Sequence, residues 1–234
     1  MLPKIAHPSF KIEIPSTKKR VSFRPFLVKE EKVLLMAKTS EDPTDILTAV
    51  KNVVSACCVD DLDIDSLAIF DLEYIFLKIR ANSVSNKVNL IFQDTEDQKE
   101  YKFEVNLDNV KVEFPPDSSN KIVISDEMGI IMKYPPASLY DDKIFLNLQE
   151  DALFELIVRC IDKIYIGDTI HEASSYKSEE IAKWLDDMDS KTFEKIQLFL
   201  NSVPRMQHVL EYKNSLGHDR KIELNTLIDF FTLR

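Results

Sequence analysis

The chain has 234 residues, and with 44% of them hydrophobic it can bury a core without disulfide staples. Its formal net charge of -10 would repel a phosphate backbone, which argues against nucleic acid as a partner. Only three glycines are present, Gly129, Gly167 and Gly217, and none lies near another, which excludes the glycine-rich phosphate cradles of P-loop and dinucleotide-binding enzymes. Three cysteines, Cys57, Cys58 and Cys160, are odd in number and two are adjacent, a pattern that fits a reducing cytosol. No apolar run approaches the roughly 18 residues of a membrane span, and "MLPKIAHPSF" lacks the apolar core of a signal peptide.

Along the chain, "FKIEIPS" and "RVSFRPF" alternate around "TKK", which predicts a strand, a turn and a strand. Residues 28–38 switch to helical character, with Glu30 and Glu31 in the first turn where the helix dipole favours acids. On this reading Lys29, Glu30, Glu31 and Lys32 form the hydrated start of a helix, and Val33 to Ala37 enter the core. "DPTDILTAVKNVVSACC" predicts a second helix opened by Pro43 or Thr44. The third, 66–83, "SLAIFDLEYIFLKIRANS", is apolar almost all round, leaving two thin charged strips, Asp71 with Lys78 and Glu73 with Arg80. Such a helix belongs at the centre of the molecule.

Between residues 87 and 134 the period falls towards two. "KVNLIFQ", "EYKFEVNL", "VKVEF", "KIVISD" and "GIIMKY" predict a meander of antiparallel strands, punctuated by Pro115-Pro116 and Pro135-Pro136. Beyond Asp141 the pattern is helical again. "NLQEDALFELIVRCIDKIYI" places Leu148, Leu153, Leu156, Ile157 and Cys160 on one face, and a helix pair follows, with Ser178 and Ser190 as N-caps. The end reads as a strand, a turn over 214–219, a second strand and a short helix. The expected class is α+β: a helical N-terminal core, a central antiparallel β-meander and a helical C-terminal part ending in a β-hairpin and short helix. The composition divides the chain near Tyr140, into 1–140 and 141–234, either as two regions or as one integrated domain.

Chemistry is sparsely signalled. Asp61, Asp63 and Asp65 resemble the opening of a calcium loop, but Ser66 and Leu72 stand where it needs glycine and glutamate. His7, His171, His208 and His218 are dispersed, and only His208 and His218 could meet, across the final hairpin; two ligands do not close a zinc site. Cys57, Cys58 and Cys160 sit on apolar helices, which suits packing rather than nucleophilic attack. Phe230, Phe231 and Leu233 must either dock on the body or meet a partner. No metal, cofactor or catalytic set is expected, and a binding or assembly role follows by elimination, with an enzyme of dispersed active-site residues as the distant alternative.

Three stretches carry a resemblance: "RPFLVKEEKVLLMA" (24–37), "FDLEYIFLKIRANSV" (70–84) and "EYKNSLGHDRKIELNTLIDFF" (211–231). In their order, and in total length, they resemble the T4-like bacteriophage baseplate hub proteins involved in hub assembly. Some members have cysteines near the terminal hairpin that suggest a metal knuckle; Asn214, Ser215 and Gly217 stand there in this chain, so no metal is carried over, and Ser85 replaces a glycine common in relatives. The resemblance implies a non-enzymatic protein made late in infection in the host cytoplasm. It would assist assembly of the central hub by binding other hub or tape-measure proteins; the alternative is a permanent subunit of the virion baseplate. Lys29, Glu30, Lys32, Phe230 and Phe231 are the candidate partner-binding residues.

Overall fold

The computed structural model describes residues 6–39, 43–116, 119–141 and 150–230. They fall into two compact units, neither of them a continuous stretch: Met1–Ile64, Phe70–Glu113 and Arg205–Arg234 form the first, and Asp65–Ile69 with Phe114–Pro204 the second. The position near Tyr140 therefore lies inside the second unit. The class is α+β, with short antiparallel sheets packed against helices.

The first unit opens with strands β1 (Phe10–Glu13) and β2 (Arg20–Phe23), paired antiparallel with Phe10 opposite Phe23. Their turn closes through Ile14 N–H to the Lys19 carbonyl at 2.9 Å, and Lys18 takes φ +59°. Helix α1 (Val28–Thr39) follows and packs on α2 (Pro43–Cys57), which buries Ala49, Val50, Val53, Val54 and Cys57, one helical face.

Helix α3 (Ile69–Ser83) buries Phe70, Leu72, Ile75, Phe76, Leu77 and Ile79. The two expected charged strips are drawn largely inward, Asp71 and Glu73 buried and Lys78 and Arg80 half-buried. Asp71 is fully buried and accepts hydrogen bonds from the Ser16 N–H at 3.0 Å and the Ser16 hydroxyl. Lys78 donates to the Leu107 and Asp108 carbonyls at 2.9 and 3.1 Å, and Arg80 to the Phe230 carbonyl at 3.3 Å. A buried charged group is tolerated when its donors and acceptors are met, so these side chains tie neighbouring segments to α3.

The five strands expected between 87 and 134 all form, and they are distributed over three sheets. Strands β3 (Lys87–Gln93) and β4 (Glu100–Asn106) make a hairpin; β5 (Lys111–Glu113) pairs with a strand from the C-terminal segment; β6 (Lys121–Val123) and β7 (Met128–Met132) belong to the second unit. The β3–β4 turn repeats the geometry of the first hairpin, with Asp94 N–H to the Lys99 carbonyl at 2.9 Å and Gln98 at φ +58°.

In the second unit α4 (Glu150–Cys160) is followed by β8 (Ile161–Ile166) and β9 (Thr169–Glu172), which extend the sheet in the order β6-β7-β8-β9. This corrects the reading of "IDKIYI" as helix. The β-branched residues are followed by Gly167, which takes φ +56° at the head of a two-residue turn, so residues 161–172 make a hairpin. Leu153 is exposed, whereas Ile157 and Cys160 are fully buried as expected; Leu148 lies outside the described residues. Helices α5 (Ser178–Asp186) and α6 (Ser190–Asn201) complete a core of Ile122, Ile130, Met132, Ile157, Ile161, Ile181, Leu185, Ile196 and Phe199. Their N-caps lie one residue earlier than expected. Asp189 accepts from the N–H groups of Lys191 and Thr192 at 2.9 and 3.1 Å, and Lys177 precedes α5.

The C-terminal segment returns to the first unit. Strand β10 (Arg205–Lys213) lies between β5 and β11 (Asp219–Leu224), and the short helix α7 (Leu227–Phe230) buries Leu227 and Phe230.

Candidate interaction surface

The first resemblance stretch builds helix α1 and its anchor. Leu27, just before the helix, cannot cap through its side chain, but Glu30 makes the reach-back half of a capping box: one carboxylate oxygen accepts from Leu27 N–H at 2.8 Å. Its other oxygen meets the Arg24 guanidinium at 2.8 Å. Arg24 also donates to the Ala56 carbonyl at the end of α2 at 2.6 Å and to the Pro25 carbonyl at 3.0 Å. One ion pair thus pins the start of α1 to the end of α2.

Burial alone would push the Glu30 carboxyl up, but the bonds from Arg24 and Leu27 more than offset it and hold it below the ordinary carboxylate range. Arg24 is raised in turn by its bond to Glu30. Burial pushes Cys57 up to about 11 and Cys160 to about 12, so both thiols stay protonated and packed.

This arrangement inverts the expected polarity of the segment. Glu30, read as hydrated, is 4% exposed, whereas Val33, Leu35 and Met36, read as core, are 43%, 57% and 73% exposed; Ala37 alone is buried there as expected. At 100° per residue Val28, Lys32, Leu35, Met36 and Thr39 fall within a roughly 100° arc opposite Glu30 and Ala37. Apolar residues occupy both sides of α1, and its main neighbour among the described elements, α2, covers only one. Beside the outward stripe lies a groove of about 290 Å³ lined by Lys29, Glu30, Val33, Asn52, Val53 and Ala56.

The candidate residues therefore separate. Lys29 and Lys32 are exposed, Lys29 with its ammonium 3.5 Å from Glu30. Glu30 and Phe230 are buried and act on the helix and on the core; Phe231 lies outside the described residues. Missed in the sequence were Arg24 as anchor and Leu35 and Met36 as surface. The i, i+4, i+7, i+8 spacing of Val28, Lys32, Leu35 and Met36 was the available signal.

The third stretch carries a second feature. The turn of the β10–β11 hairpin, Asn214–His218, is fastened to the β3–β4 turn. Asp94 accepts from Tyr212 Oη at 2.5 Å, Arg220 Nε at 3.1 Å and the N–H of Glu96 at 2.7 Å. Asp97 accepts from Tyr101 Oη, Ser215 N–H and Ser215 Oγ at 2.6, 2.9 and 2.8 Å, and Glu96 meets Asn214 and His218 at 2.7 Å each. The Tyr212 bond holds Asp94 below the usual carboxylate range, and Asp97 lies far below it despite burial, through its bonds from Tyr101 and the Lys99 and Ser215 amides. These oxygens are engaged by donors, so the cluster works as a clasp between two turns. His208 sits opposite Leu224 and does not meet His218. Among the described residues no group of three or more His, Cys, Asp or Glu could hold a metal ion.

In the second unit a groove of about 380 Å³ is lined by Pro115, Pro116, Ser119, Lys195, Leu198, Phe199 and Ser202. Neither groove brings a histidine to a carboxylate. Among the described residues no helix is long and apolar enough to cross a membrane.

Apolar helix faces and grooves of this kind are the means by which one polypeptide holds another. A family profile described as T4 bacteriophage base plate protein matches residues 7–232, nearly the whole chain and parts of both units. The chain belongs to that family and is a phage baseplate protein. No curated protein and no solved structure matches it.

Proposed function

We propose that this baseplate protein assists assembly of the central hub by binding other hub or tape-measure proteins in the host cytoplasm, without catalysing a reaction. The observation that carries the binding role is the outward face of α1. It combines Val28, Leu35 and Met36 with the exposed ammonium groups of Lys29 and Lys32, on a helix held rigid at its start by the Arg24–Glu30 pair. In this reading Lys29 and Lys32 make partner contacts, Glu30 orients the helix that presents them, and Phe230 fixes the C-terminal segment. Membership of a family described by the baseplate itself favours a second reading, a permanent subunit of the virion hub.

Quantitative mass spectrometry of purified virions separates the two. Absence from virions, with co-purification alongside hub proteins from infected cells, is the outcome expected of an assembly factor. Presence at fixed stoichiometry would overturn that role in favour of a permanent subunit.

A further inference from the structure

We infer that the outward face of α1 is a docking site for an acidic amphipathic helix of another baseplate polypeptide. The inference deepens the binding role proposed above and rests on it. Three observations lead to this occupant. The stripe Val28, Lys32, Leu35, Met36 and Thr39 has the i, i+4, i+7, i+8, i+11 spacing with which a helix meets another helix lengthwise. Val33 and the groove between α1 and α2 continue the apolar surface to one side and offer a recess for a large side chain. In a chain of net charge -10, the charge set within the stripe itself is the exposed Lys32, with the exposed Lys29 along its groove edge, so the face is locally basic and selects acidic flanks.

A second copy of this chain fits poorly. Lys32 lies at the midpoint of the stripe from Val28 to Met36, so antiparallel two-fold pairing of α1 with itself would set the two Lys32 ammonium groups against each other. The body charge of -10 adds to that repulsion. Apolar contact supplies affinity in this picture, and Lys29 and Lys32 supply the choice of partner.

The test uses the full chain and two synthetic helical peptides of equal length with the same leucine stripe, one flanked by glutamates and one by lysines. Fluorescence anisotropy is expected to show the glutamate peptide binding at least tenfold more tightly, a difference of about 1.4 kcal/mol. Its binding should weaken as salt is raised. Leu35→Asp should reduce that binding about tenfold with its melting curve unchanged, because the side chain projects into solvent. Lys32→Glu should shift the preference towards the lysine peptide. Equal binding of both peptides, or no effect of Leu35→Asp, would overturn the site. A wild-type dimer split by Leu35→Asp in sedimentation would overturn the occupant in favour of a second copy. Complementation of infected cells with Leu35→Asp keeps the two readings distinguishable. Defective baseplates support the assignment to a baseplate polypeptide; normal baseplates overturn that assignment, while the virion and co-purification measurement decides the assembly role independently.

Discussion

Helices α1 and α3 both carry apolar residues around most of their circumference, and they occupy opposite environments. Around α3 the chain supplies several layers: the β1–β2 turn through Ser16, the ring of Phe26 centred 5.5 Å from that of Phe76, the carbonyls of Leu107 and Asp108, and that of Phe230. Even Asp71 is enclosed there. Among the described elements helix α1 packs chiefly on α2, so it buries one side and leaves Val28, Leu35 and Met36 in solvent while Glu30 goes inward. Composition sets how much apolar surface a helix has. The number of segments that return to it sets how much of that surface is covered.

The largest effect expected from breaking this contrast is at α3. Phe76→Asp places an unpaired charge in a fully enclosed site and should cost more than about 4 kcal/mol, enough to abolish the cooperative unfolding transition followed by circular dichroism. Wild-type melting of this variant would mean that α3 is not the centre of the first unit. A smaller loss is expected at α1. Glu30→Gln leaves Arg24 without its ionised partner and should cost roughly 2–3 kcal/mol in urea denaturation at neutral pH. Because the Glu30 carboxyl is held below its ordinary value of 4.5, its contribution is complete above that pH and disappears as the pH falls through the lower folded value. The stability gap between wild type and Glu30→Gln should therefore be widest at neutral pH and narrow below 4.5; a gap that widened in acid would contradict the ion pair. The smallest effect sharpens the comparison. Glu180 in the second unit makes the same reach-back bond, to Lys177 N–H at 2.9 Å, but at the surface. Glu180→Ala should cost only about 0.5–1 kcal/mol by the same denaturation measurement, as for an ordinary helix cap.

Local signals were legible where a single periodicity governed a segment. The three N-terminal helices, the five strands from 87 to 134 and the terminal hairpin with its short helix all follow from spacing, caps and turns. Strand β8 was hidden because "IDKIYI" follows α4 with no intervening loop and its apolar residues continue the helical stripe; only Gly167-Asp168 announced a hairpin. The pairing of β5 with β10 could not be read at all, since it depends on chain segments about 90 residues apart. The site was half legible for a related reason. Lys29 and Lys32 stand out as charges, but the inward turn of Glu30 depends on Arg24 and on the Ala56 carbonyl, contacts from outside its own helix.

The return of the C-terminal segment has a consequence for the order in which the protein matures. Strand β10 must pair with β5, and Phe230 must reach the carbonyl contact with Arg80, before the first unit is closed. On a ribosome adding roughly 5–20 residues per second, every residue of the second unit is synthesised while the first still lacks β10, β11 and α7. A message cut short after the second unit would thus yield a chain with its earlier-made unit open, exposing β5 and leaving Arg80 of α3 without the Phe230 carbonyl. For this fold, synthesis of β10, β11 and α7 is itself the event that seals the part synthesised first.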